Sequence, residues 1–236
     1  LERDAQLRTD FNINTGAKND FIERIKYKSK MKESYIAAGV PVARHHMVST
    51  LAAARAFIKE VGYPVIVKPD NGVGAIATWK LQSDEDTVAF FNELPPVPYL
   101  MEEYVTGVVT TYDGVCNSRG EVLFAASHIT RNSIMDMVNE HVPTYYYVDK
   151  EVPADVEAAG KATLKAFGAS SRFFHLEFFR LTADKPGLGK TGDIVALEVN
   201  MRPAGGFTPD MLNFSQSADV YQIWADMVAF DELRHH

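Results

Sequence analysis

The chain is predicted to be an α+β protein made of two lobes. Three observations predict this. Short apolar, β-rich segments outnumber the helical ones; neighbouring segments are joined by short turns, as in antiparallel hairpins; and the double proline Pro95-Pro96 closes a first unit of the chain. Strands arranged in hairpins favour α+β over a doubly wound parallel sheet. The 236 residues are enough for one large domain or for two small lobes with their own cores.

The elements follow in order. Residues 1–20 are polar and read as a linker or lead-in, and the start at Leu1 reads as the interior of a longer chain. A helix is predicted over 25–38, with Met31, Tyr35 and Ala38 on one stripe, ended by Gly39 and barred from continuing by Pro41. A short strand over 45–48 precedes a helix with Thr50 at its N-cap. The run 63–68 (YPVIVK) reads as a buried strand, 70–74 as a tight loop and 75–81 as a second strand. Ser83 caps a helix to 92, and 99–104 is a further strand. Strands over 107–116 and 121–129 are joined by the turn 117–120. Residues 131–148 lack periodicity and read as a loop. A helix over 155–167 precedes strands over 172–181 and 194–200, joined by a Gly- and Lys-rich loop, and a last amphipathic helix covers 217–230. These give a lead-in (1–20), a first part with the small lobe (21–105) and a large lobe (106–236).

Composition narrows the function classes. A net charge of −7, from 31 acidic and 24 basic residues, argues against a nucleic-acid binder, which shows a basic face. A single cysteine, Cys116, excludes an internal disulfide framework and fits a cytoplasmic setting. No apolar run approaches the ~20 residues needed to cross a bilayer, so no membrane partner is expected.

Four constellations carry chemistry. In Leu197-Glu198-Val199-Asn200-Met201-Arg202, strand alternation puts Glu198, Asn200 and Arg202 on one face and Leu197, Val199 and Met201 towards the core. The first two offer hard oxygen ligands of the kind magnesium takes, and the guanidinium suits phosphate or carboxylate. The alternative is a solvated face with an incidental ion pair. Glu177 is a lone carboxylate within the aromatic strand 173–179, so it faces solvent or has a partner. Antiparallel pairing of 172–181 with 194–200 would set it opposite Glu198, and two such carboxylates repel unless a cation lies between them. Lys68 ends a buried strand before a loop containing Gly72 and Gly74, whose main chain can approach phosphate; an ordinary hairpin turn is the alternative. Glu102, Glu103 and Val105 close the small lobe as an extended hinge that matches the donor and acceptor edge of adenine.

Together and in this order, the four resemble the ATP-grasp superfamily of carboxylate–amine ligases, which includes biotin carboxylase, carbamoyl-phosphate synthase and the L-amino acid ligases. The resemblance runs from about Lys28 to Phe230. It implies an ATP-grasp fold with nucleotide between the two lobes, and ATP with Mg²⁺ (or Mn²⁺) as cofactors. It implies Lys28 and Lys68 as nucleotide-binding lysines, Gly72 and Gly74 in the phosphate loop, and Glu102, Glu103 and Val105 at adenine. Glu177, Glu198 and Asn200 match the metal ligands, and Arg202, with Lys68, the groups that act on the transferred phosphoryl. The implied reaction phosphorylates a carboxylate to an acyl-phosphate and couples it to an amine. The implied partners are therefore small-molecule carboxylates and amines, and a homodimer is allowed. Three departures stand out: Ala75 and Ala77 stand where many members have serine or glycine, Val108 and Val109 stand where many carry a ribose-holding glutamate, and the N-terminal α/β domain that most members have before the first lysine is missing. They leave open a non-catalytic ATP-binding module as the alternative. The resemblance also implies that Asp113 and Arg131 border the substrate side; of the remaining residues, His128 has no spaced carboxylate partner in sequence, His175 shares a face with Glu177, and Tyr145 to Tyr147 read as strand packing.

Overall fold

The computed structural model describes residues 2–13, 16–71, 78–93, 97–131 and 145–234. Gly72, Gly74, Ala75 and Ala77 of the predicted phosphate loop lie outside the described residues.

The small lobe is a four-stranded antiparallel sheet of β1 (His45–Val48), β2 (Val65–Pro69), β3 (Trp79–Leu81) and β4 (Tyr99–Glu103), in the order β1-β4-β2-β3. Alternation divides each strand between two faces. Val65, Val67, Tyr99 and Met101 pack with Phe57, Ile58 and Phe90 of the helices α4 (Leu51–Val61) and α5 (Asp84–Glu93). Lys68 and Glu102 turn to the other face, where the cleft lies. The helices start where their caps dictate: Thr50 Oγ1 accepts from the Ala53 N–H at 3.2 Å, and Ser83 Oγ accepts from the Asp86 N–H at 3.1 Å.

The large lobe holds a six-stranded antiparallel sheet: β5 (Gly107–Cys116), β6 (Val122–Ala126), β7 (His128–Thr130), β8 (Tyr146–Val148), β9 (Arg172–Leu181) and β10 (Ile194–Asn200), in the order β10-β9-β5-β7-β8 with β6 beside β5. One face carries Tyr112, Phe174, Leu176, Phe178 and Val199 into the main core, with α3 (Lys28–Ala37) and α6 (Ala154–Phe167) against it. The other face carries Val109, Thr111, His175, Glu177 and Phe179 into the cleft. The C-terminal helices α7 (Thr208–Gln216) and α8 (Val220–Phe230) cover the remaining edge, with Trp224 stacked on Phe173 at 4.9 Å.

Several elements differ from the sequence reading. The helix predicted over 25–38 is two: α2 (Asn19–Lys26) and α3, broken at Tyr27, whose backbone is extended and bridges to Asn71. The break puts Lys28 at the first residue of α3. There Asp70 caps the helix from outside, accepting from the Ser29 N–H at 2.7 Å and from Ser29 Oγ at 2.9 Å. Residues 2–10 form a helix, α1 (Glu2–Asp10), because Ala5 packs on Phe21 and Ile22. α7 (Thr208–Gln216) has no counterpart in the sequence reading, which gave no element between 200 and 217; Pro209 near its start masks it. Tyr146–Val148 is a strand rather than loop, since β7 offers it an edge; residues 132–144 lie outside the described residues.

β5 is squeezed between β6 and β9 at Gly114, where a Cβ would stand 2.0 Å from the Phe124 carbonyl oxygen and 2.6 Å from Phe174 Cζ. The obstacle is main chain on one side and a buried ring on the other, so Gly114→Ala is expected to destabilise the chain by about 3 kcal/mol, at the upper end of overpacking effects. Urea unfolding of the two proteins measures it.

Candidate active-site cleft

A cleft of about 490 Å³ lies between the two sheets. Lys28 and Lys32 enter it from α3, Lys68 and Glu102 from the small sheet, and Glu177 and Glu198 from the large one. Glu103 and Val105 line its hinge end.

The cationic wall is organised around Glu102, which is 4% exposed. One of its oxygens is paired with Lys32 Nζ and the other with Lys68 Nζ. Burial alone would raise the Glu102 pKa, but the two ammonium groups outweigh it and hold the carboxyl at about 2. Burial lowers the Lys32 pKa, against the pull of Glu102. Lys28 is lowered as well, first by burial and then by the charge of Lys68. Two lysines share one buried carboxylate and a third faces them, so this wall carries excess positive charge in a poorly solvated place. An anion relieves such an excess.

The opposite wall is acidic. β9 and β10 pair antiparallel, and a bulge between Ala196 and Glu198 inserts Leu197, so that Glu198 stands opposite Glu177. Leu197 consequently lines the cleft instead of pointing into the core as simple alternation predicts. The Glu198 pKa is raised, first by burial and then by the charge of Glu177, with Lys28 and Lys68 pulling the other way. The two carboxylates thus repel across the strand pair.

Glu177 is half-buried and has a partner: its Oε1 accepts from His175 Nε2 at 2.9 Å. His175 Nδ1 in turn donates to Asp113 Oδ1 at 2.6 Å. His128 does have a carboxylate partner, a correction to the sequence reading: its Nδ1 donates to Asp113 Oδ2 at 2.7 Å, across a strand pairing that sequence spacing does not reveal. The two imidazoles stack at 5.6 Å.

Lys28, Lys68, Glu102, Glu103, Val105, Glu177 and Glu198 of the sequence-predicted set meet at this one cleft. Glu103 turns its carboxylate to the hinge, accepting from the Arg44 N–H at 2.8 Å and from the Arg44 guanidinium at 2.7 Å. Asn200 and Arg202 do not line the cleft: Arg202 is exposed at the end of β10 and donates to Asn200 Oδ1 at 3.3 Å and to the Pro203 carbonyl at 2.8 Å. Gly72 and Gly74 lie outside the described residues. Sequence reasoning missed Lys32, and it set Asp113 only on the substrate side, not with His128 and His175. Lys32 sits four residues after Lys28, one helical turn along the same face, and that spacing was a usable signal.

Among the described residues no group of three or more His, Cys, Asp or Glu side chains is arranged to hold a metal ion. A protein-only cage of the zinc type is therefore not present in them. Two facing carboxylates do fit magnesium, which is held by one or two carboxylates together with substrate phosphates.

Comparisons with known proteins bear on the family and the fold. The family described as "Carbamoyl-phosphate synthase L chain, ATP binding domain" matches residues 23–93. The chain is 28% identical over 146 residues to a D-alanine–D-alanine ligase of Ectopseudomonas mendocina (strain ymp), covering 60% of this chain and 44% of that protein. The biotin carboxylase domain of Hydrogenobacter thermophilus 2-oxoglutarate carboxylase superposes with a TM-score of 0.70 at 19% identity, covering 99% of this chain and 52% of that one. The fold is ATP-grasp. A second ATP-grasp structure, the ligase PsnB, gives a TM-score of 0.66 at 18% identity over 94% of this chain and 64% of its own. The resemblance to the ATP-grasp carboxylate–amine ligases thus holds in sequence and in fold. The chain spans less than two thirds of the length of each of these relatives. No helix among its described residues is long and apolar enough to cross a membrane.

The Glu102 cluster sets a pH dependence. Its folded pKa, about 2, lies below the ordinary 4.5. The stability it contributes is therefore complete above 4.5 and is lost as pH falls towards 2. Glu102→Gln strands the buried Lys32 and is expected to destabilise by roughly 3 kcal/mol at neutral pH, the effect of removing one partner of a buried pair. Denaturant unfolding against pH should show the gap between wild type and variant closing as the medium is acidified through that window.

Proposed function

We propose that the cleft binds ATP with magnesium and serves a ligase that phosphorylates a small-molecule carboxylate and couples it to an amine. The observation that carries the proposal is the pairing of three lysines on one wall with two facing carboxylates on the other. A polyphosphate satisfies the first wall, and a divalent cation bridging to that polyphosphate satisfies the second. The matched family is an ATP-binding domain, and the two structural neighbours are complexes with ADP and magnesium.

In this reading Lys28 and Lys68 hold the phosphates, and Glu102 sets the Lys68 ammonium in place instead of touching adenine with its own carboxylate. The N–H groups of Glu103 and Tyr104 are committed to the Arg44 and Pro64 carbonyls, which assigns the base to the Val105 main chain. Gly72 and Gly74 are assigned to the loop over the phosphates. Magnesium held by Glu177 and Glu198, with Asn200 at the end of the same strand, would neutralise charge on the transferring group. A substrate carboxylate oxygen attacks the γ-phosphorus, the bond to the bridging oxygen breaks, and ADP leaves. The amine then attacks the acyl carbon and phosphate departs. The chain's contribution is positioning and charge neutralisation, the main elements of phosphoryl transfer. Arg202 is assigned to the acyl-phosphate, with Asn200 Oδ1 fixing its guanidinium. The lobes at 21–105 and 106–236 are proposed as the two jaws, with α3 of the first built into the core of the second.

Calorimetry tests the binding step. Lys68→Met should weaken ADP binding with or without Mg²⁺, whereas Glu198→Gln should weaken it only when Mg²⁺ is present, each by about 10² or roughly 3 kcal/mol for one lost electrostatic contact. Wild-type affinity in both variants contradicts the assignment. For the chemistry, ADP release by the full-length protein should depend on an added carboxylate and fall in Glu198→Gln. ATP binding without any ADP formed across a broad carboxylate panel favours a non-catalytic module instead.

A further inference from the structure

Asp113 is 2% exposed and has no part in the reading above. Both of its oxygens are used. Oδ1 accepts from His175 Nδ1 at 2.6 Å, while Oδ2 accepts from His128 Nδ1 at 2.7 Å and from Thr111 Oγ1 at 2.5 Å. Register places Asp113 on β5 directly beside His175 on β9, and His175 lies two residues from Glu177 on the same face of its strand. The other nitrogen of His175 reaches Glu177 Oε1 at 2.9 Å. The line Asp113–His175–Glu177 therefore runs from a buried residue behind the cleft lining to the carboxylate pair.

Each link limits the next. A carboxylate only accepts when ionised, so both ring nitrogens of His175 donate, and the ring can neither flip nor rotate without losing one bond. Stacking on His128, with the planes 11° apart, blocks tilting as well. A glutamate side chain otherwise has freedom whose loss on ordering amounts to about 1.5–2 kcal/mol. Here one lone pair of Glu177 Oε1 is already committed, which leaves Oε2 the better placed oxygen for a ligand.

We propose that Asp113, acting through His175, is a positioning residue that fixes Glu177 to present a single oxygen to a nucleotide-bound divalent cation. This rests on the nucleotide and metal reading of the cleft. The rival is a buried polar network that supports only the fold; it would alter stability and leave the metal affinity of the folded chain alone.

The test is Mn²⁺ binding by electron paramagnetic resonance to the ADP-saturated chain, alongside ADP binding without metal. In Asp113→Asn the Mn²⁺ Kd is expected to rise about 10–100-fold, as when an outer hydrogen-bond partner of a metal ligand is lost, with the metal-free ADP Kd within about twofold of wild type. His175→Gln keeps an amide donor for Glu177 but cannot span to Asp113; it should show the same split, and it decides the matter if Asp113→Asn does not fold. Unchanged Mn²⁺ affinity in the folded variants overturns the proposal, as does an equal loss of metal-free ADP affinity. A wild-type chain that binds ADP without any Mn²⁺ enhancement contradicts the underlying metal reading instead.

Discussion

Glu198 faces Glu177 because β10 carries one residue more than β9 can pair with. The bulge at Leu197 shifts the register by one, and everything chemical about the cleft depends on that shift. Without it Leu197 would oppose Glu177, and the acidic wall would hold one carboxylate where it now holds two. The bulge also redirects Leu197 into the cleft as an apolar surface next to the charges. Bulges are a common way for a sheet to re-aim side chains at a functional site.

The two walls are complementary in a way that neither achieves alone. Glu102 holds a pair of lysines that would otherwise repel, yet one carboxylate does not neutralise two ammonium groups. Across the cleft, Glu177 is steadied by His175 while Glu198 has its protonation favoured by its neighbour's charge. A lysine-rich wall and a pair of carboxylates thus line the same cleft. A ligand carrying both phosphates and a cation relieves both walls at once, which is why the geometry suits a metal–nucleotide better than either component separately. The hinge is tied by a different carboxylate: Glu103 joins Arg44 to β4 and lies 3.6 Å from Lys185 of the β9–β10 connection, so both lobes meet on one buried charge.

Much of this was legible in sequence where the signal is local. The loop between two β-rich runs gave the β9–β10 hairpin, whose pairing set Glu177 opposite Glu198, while Lys68 was read from the end of a buried strand and Glu102 from the hinge. What alternation cannot show is an inserted residue, so Leu197 was assigned to the wrong face. Lys32 was overlooked because a lysine on an amphipathic helix normally lies in water; only the docking of α3 against both sheets buries it. The partnership of Asp113 with His128 and His175 spans 15 and 62 residues of chain and depends on which strands are neighbours, information no spacing rule carries. The break at Tyr27 was equally hidden, since the residues on either side favour helix and the interruption comes from a tertiary bridge to Asn71.

The most direct measurement of the central claim is anomalous diffraction from crystals of the chain grown with ADP and Mn²⁺. The account predicts a single strong manganese peak lying against carboxylate oxygens of both Glu177 and Glu198, with the diphosphate reaching Lys68. Clear nucleotide density with no manganese peak between those side chains, or with the two carboxylates turned away from each other, would contradict it.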